Sequence, residues 1–146
     1  MARIRPGFVF AALAALALAT GTATGTATAQ DLRKAPPGDG YKKVSELVPL
    51  PDFLPGMGTL YVKPETLPAG PFLAYDKQGR LVSSIYMIPL EDLQAHKAFE
   101  NLATAQEKVD HVDLVYNAGH PGVEKPHYHI VLWHIPKAQE QRVAGK

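Results

Sequence analysis

The 146-residue chain contains no cysteine. That absence excludes a disulfide framework, a thiolate nucleophile and thiolate metal ligands. It also leaves no residue to carry a lipid anchor. Positive charge is not in excess either, with 15 Lys and Arg against 14 Asp and Glu. No run of Lys and Arg forms a phosphate-binding stripe, so nothing points to nucleic acid. Ser45, Ser83 and Ser84 lack the context of a nucleophile elbow, and no glycine-rich loop precedes a helix to cradle phosphate. The carboxylates show no spacing that would separate an acid from a base. Tyr61, Tyr75 and Tyr86 alternate with aliphatic residues and read as core and rim. What remains for chemistry is histidine, assisted by Asp and Glu.

Long apolar runs are also missing, with one exception at the amino terminus. Arg3 and Arg5 precede an uncharged stretch from Gly7 to Ala19, rich in Ala and Leu. It is shorter than the roughly 20 residues a membrane-spanning helix needs. It closes on Ala27-Thr28-Ala29, a small-x-small pattern suited to signal peptidase. Residues 1–29 are therefore expected to be a cleavable signal peptide, placing the mature protein in the periplasm or outside the cell. No stable membrane anchor is expected after cleavage. Loss of Arg3 and Arg5 leaves 13 basic residues against 14 acidic ones, a net charge of −1.

Residues 30–49 read as a flexible leader and irregular segment, with Pro36, Pro37, Gly38 and Gly40 near the start. Pro49, Pro51 and Pro55 forbid a long helix or a central strand, so that stretch is expected to wrap irregularly over the domain. Thr59 to Val62 reads as a short strand. Residues 71–76 and 80–87 read as a hairpin turning on Gly79. After Pro89 the pattern predicts a helix, with Glu91 and Asp92 in its first turn and a stripe of Ala95, Ala98, Phe99 and Leu102. Strands follow over 110–116 and 127–135. The expected fold class is α+β: a mainly antiparallel sheet with one covering helix, in a single domain over 50–136, followed by a polar tail over 137–146.

Four of the six histidines fall between Gly119 and Ile135: His120, His127, His129 and His134. Strand alternation puts His127, His129, Val131 and Trp133 on one face and Tyr128, Ile130, Leu132 and His134 on the other. A register with Asn117 opposite His127 sets Val112, Leu114 and Tyr116 beside Tyr128, Ile130 and Leu132, which reads as the core face. His127 and His129 are then left on the opposite face, within reach of His111 and Asp113. Two imidazoles at i and i+2 on a strand point the same way and can share one ion. His120, in a loop shaped by Gly119, Pro121 and Gly122, supplies a third. Three nitrogens with an open position suit a divalent metal, zinc first, with iron, manganese or copper as alternatives. Asp113 or Glu124 is expected to add an oxygen ligand, to orient a histidine or to act as a general base. His134 reads as a strand-end residue bonded to Asp110, and His96 as a surface residue.

These motifs resemble those of a family of small exported bacterial proteins of unassigned function, typified by a Thermus hypothetical protein. The resemblance runs from about Leu50 to Trp133. The family pattern has a Gly-Met-Gly-x-His-Tyr turn, a Val-Asp-His-x-Asp strand, a Gly-His-x-Pro loop and a Pro-His-Phe-Asp-x-His strand. The counterparts here are Gly56 to Tyr61, Val109 to Asp113, Gly119-His120-Pro121 and Pro126 to Val131. Leu60 stands where the pattern has histidine, His129 replaces its aspartate, and Val131 replaces its second strand histidine. Only His120 and His127 carry over residue by residue as family-like site positions, and the resemblance implies no reaction. Gly122 with His127-Tyr128-His129 is also similar to the first cupin motif, but the glutamate and the second motif of that family are missing.

The expected function is an exported domain binding a divalent metal through His120, His127 and His129. The alternative is a metal-free envelope or stress module that binds a partner or assembles as a homo-oligomer. No catalytic residue and no substrate can be named from the sequence.

Overall fold

The computed structural model describes residues 31–145, and the expected signal peptide lies outside them. Nine consecutive uncharged residues, Leu81–Pro89, form the strand around which the rest is arranged. We call it β4, after β1 (Lys42–Lys43), β2 (Thr59–Val62) and β3 (Phe72–Tyr75); β5 (His111–Asn117) and β6 (His127–Trp133) follow. The six strands make one sheet in the order β1-β2-β3-β4-β6-β5, with every pairing antiparallel. Every residue of β4 is buried, because strands flank it on both sides and both of its faces are covered.

One face is packed by Val44 of a single-turn helix, α1 (Val44–Leu47), and by Val48, Leu50, Phe53, Leu54 and Met57 of the proline-rich stretch. That stretch does wrap over the sheet. The opposite face, beneath Leu73, Tyr75 and Leu81, is covered by Leu32, Ala35, Tyr41 and Ala105. The segment read as a flexible leader is thus tied down: Lys34 bridges Arg80, and the Tyr75 hydroxyl donates to the Leu32 carbonyl at 2.8 Å.

The covering helix expected after Pro89 is absent from the described residues. Helix α2 is limited to Leu90–Gln94, although Glu91 and Asp92 do occupy its first turn. His96, Asn101 and Gln106 then adopt positive φ near 55°, which no helix accommodates. The stripe expected to drive the helix was half alanine and offered little area to bury. The chain instead continues without regular structure, where the Tyr86 hydroxyl donates to the Ala103 carbonyl and Ala105 is buried. The fold is mainly β.

The β5–β6 register is as expected, with Asn117 opposite His127 and Leu114 opposite Ile130. The choice of core face is reversed. Val112, Leu114 and Tyr116 are 54%, 65% and 53% exposed, whereas His127, His129, Val131 and Trp133 are buried. Alternation shows which residues share a face but not which face is covered. At β6 it is the histidine side that joins the main core, through Val131 and Trp133.

The polar tail also differs from expectation. Lys137–Arg142 form a 3-10 helix, and Val143 is buried in the main core. Asp76, in the β3–β4 turn, fixes this end of the chain. Its fully buried carboxylate accepts from Arg80 Nε at 2.9 Å and from Arg142 Nε at 2.8 Å, and from the backbone N–H of Gln78 and Arg80. Burial alone would raise its pKa, but the hydrogen bonds from Arg80 and Arg142 outweigh that and hold it below the ordinary carboxylate value. Asp76→Ala is expected to cost about 3 kcal/mol at neutral pH. Because folding lowers this pKa, the contribution is complete above the unfolded value of about 3.9 and fades as the pH falls through the folded one. Denaturant titrations of the native protein and the variant should therefore converge in acid. An equal gap at pH 7 and at pH 2 would contradict this account.

Candidate metal centre

His127 and His129 enter the covered face as successive inward residues of β6, held opposite Pro89 and Met87 of β4. His127 is fully buried and His129 is 6% exposed. His120 comes from the loop between β5 and β6, which closes on itself through two backbone bonds with Val123, both 2.9 Å. Gly122 has φ +88°, and a Cβ there would press on the Val48 side chain at 2.8 Å. Glycine at this position thus lets the loop close against the residue that follows α1. The result brings together the three histidines expected from the sequence. One nitrogen from each lies within 4.8 Å of the other two, and the ring centroids are 4.8–5.7 Å apart.

The hydrogen bonds around the rings determine which nitrogens are free. His127 Nδ1–H donates to the Lys125 carbonyl at 2.7 Å, and His120 Nδ1–H donates to the Pro121 carbonyl at 3.0 Å. A carbonyl can only accept, so in the neutral form of each ring the proton sits on Nδ1 and the lone pair on Nε2. His127 Nε2 then accepts from His129 Nε2–H at 3.0 Å. A backbone carbonyl on the distal nitrogen is the usual arrangement behind a metal-ligating imidazole.

The other candidates are not at this cluster. The Asp113 carboxylate accepts from Trp133 Nε1 at 2.8 Å, and Glu124 is exposed. His134 pairs with Ser84 Oγ at 2.8 Å and with the Lys108 carbonyl at 3.0 Å, not with Asp110. His96 is exposed, as expected. His111 joins Asp113 and Glu140 in a second group of possible ligands. Sequence reasoning missed Glu140 because it lies 29 residues beyond His111, in the segment read as tail. His111 there bonds Asp110 at 2.9 Å and Glu140 at 2.7 Å, and stacks on Trp133. The hydrogen bonds to Asp110 and Glu140 raise its pKa.

Among solved structures, the chain is similar to the hypothetical protein TTHB210 from Thermus thermophilus, with 45% sequence identity and a TM-score of 0.59. The match covers 64% of this chain and 92% of that one. The chain belongs to the family of TTHB210. No protein-family model and no curated protein matches the sequence.

Within that family fold, the cluster in this chain opens on a cavity of about 310 Å³. His120 and His129 form part of its wall; the rest of the lining is apolar side chains and Gly122. No local motif announces such a space, since its wall is assembled from distant segments. Burial, reinforced by the neighbouring His127 and His120 rings, pushes the His129 pKa down to about 4. His129 is therefore neutral and ready to donate a lone pair across the physiological range. In the metal-free protein at neutral pH, the ring-nitrogen NMR signals should show His127 as the Nδ1–H tautomer and His129 as the Nε2–H tautomer. The opposite tautomer at His127 would remove the role assigned to the Lys125 carbonyl.

Proposed function

We propose that this protein, exported to the periplasm or beyond the cell, binds a divalent metal ion through His120, His127 and His129. The observation that carries the reading is the convergence of three imidazoles with two of them anchored at Nδ1 by backbone carbonyls. Zinc is the first choice of ion, because three neutral nitrogens with one open position match its tetrahedral preference. Among the described residues the cluster contains no carboxylate, so the ion's charge is left for a fourth ligand to balance. An ion held this way is able to polarise that ligand, though no reaction follows from the residues present. Purified free of chelator and of tag histidines, the protein is expected to take up one zinc per chain. The His127→Ala, His129→Ala double variant should take up none while keeping its circular dichroism, and His120→Ala should weaken uptake at least tenfold. Uptake surviving the double change would overturn the assignment.

A second reading rests on a different observation. The edge strand β5 exposes Val112, Leu114, Val115 and Tyr116, and an unprotected apolar edge invites pairing with another chain. On this reading the protein is an assembly module that stacks or pairs through β5, with or without metal. Sedimentation should then show an oligomer that Leu114→Lys dissociates. A native protein that stays monomeric at high concentration would remove this reading.

A further inference from the structure

The cavity beside the histidines differs from an ordinary packing defect in three respects. At about 310 Å³, it is twice the roughly 150 Å³ that already accepts a benzene-sized guest in an apolar core. Leu47 and Leu67 line it and yet are 42% and 46% exposed, so they form an apolar mouth rather than a sealed wall. Among the described residues the polarity of the wall is confined to one place, where His120 and His129 stand, and the lining includes no Lys, Arg, Ser or Thr. A ligand fitting this space has an apolar body and a single polar end.

The chemistry of that end follows from the cluster. This step rests on the metal reading above. A doubly charged ion on three imidazoles, with no carboxylate beside it among the described residues and an apolar surround, favours an anionic fourth ligand over a neutral one. A phosphate dianion would need further cationic or hydroxyl partners, and the wall has none. A protonated amine would be repelled by the ion. A monocarboxylate supplies one negative charge and one or two oxygens, which is what a single open position takes.

We infer that the cavity binds an aliphatic monocarboxylate, with its carboxylate on the metal held at His120, His127 and His129 and its chain lying among the apolar residues towards Leu67. His127, fully buried and not part of the wall, holds the ion from behind, while His120 and His129 face the ligand.

The test is a titration of zinc-loaded protein with butanoate, hexanoate and octanoate. Affinity is expected to rise about fourfold for each added methylene. Leu67→Glu, a change at the exposed mouth, should weaken octanoate at least tenfold while leaving zinc uptake intact. Leu114→Glu, on the exposed β5 face, should leave octanoate binding unchanged. Zinc uptake with no dependence on chain length would overturn the inference and leave the metal reading standing. Octanoate lost in Leu114→Glu but kept in Leu67→Glu would overturn it too, by moving the binding to the sheet surface. Failure to take up zinc would defeat the metal reading and the carboxylate head with it. A steep response to the uncharged 1-alkanols would then place that failure in the metal rather than in the cavity.

Discussion

The pairing of β6 with β4 is the constraint on which the rest depends. It seats His127 opposite Pro89 and His129 opposite Met87, on the central strand, and so drives two imidazoles into the covered face of the sheet. A slip of one residue would exchange them for Tyr128 and Ile130 and leave the cavity with no histidine of β6 in its wall. Register here is a functional property as much as a structural one. It is secured by β4, whose residues are all buried and whose two faces have different partners.

Placing histidines in that position works against stability. An imidazole in an apolar core has to keep hydrogen bonds or suffer the cost of desolvation. His127 meets the requirement locally, using the Lys125 carbonyl on one nitrogen and the His129 ring on the other. A valine at either position, like Val131 further along the same face, would avoid the requirement altogether. The third ring, His120, arrives on a loop whose glycine tolerates contact with Val48. The loop, the strand end and the segment after α1 therefore have to be in place together before the three nitrogens converge.

The sequence is informative about pairing and much less so about coverage. Alternation in His127–Trp133 and in His111–Asn117, together with the intervening loop, is enough to align Asn117 with His127. The three clustered histidines follow from the same i, i+2 spacing and the glycines around His120. The covered side is decided elsewhere, by residues 48–57 and by the run through Ala105, and neither stretch has a period that signals what it packs against. This is why Val112, Leu114 and Tyr116 read as core and emerge as surface. The helix expected after Pro89 fails for a related reason: its stripe holds too little apolar area to outweigh bonding of the backbone to the sheet, as at Ala103, whose carbonyl accepts from the Tyr86 hydroxyl. Glu140 and Arg142 were illegible because their partners, His111 and Asp76, are remote in sequence.

Two groups of possible ligands exist among the described residues, and comparing them indicates why only one is read as a metal centre. His111, Asp113 and Glu140 are partly exposed and already carry balancing charge. Lys137 lies 3.1 Å from Glu140 and 3.8 Å from Asp113, and His111 bridges Asp110 and Glu140. A cation entering there would have to displace Lys137 and break those bonds, with water competing for it at every step. His120, His127 and His129 offer the opposite arrangement. They include no carboxylate, two of them are buried, and among the described residues no Lys or Arg belongs to the cluster. The lone pairs of His120 and His127 are oriented by bonds on the far side of those two rings, so binding an ion breaks the 3.0 Å contact between His127 and His129 and frees a His129 nitrogen of its proton. The same lack of a carboxylate leaves an ion's charge to be balanced from the cavity side.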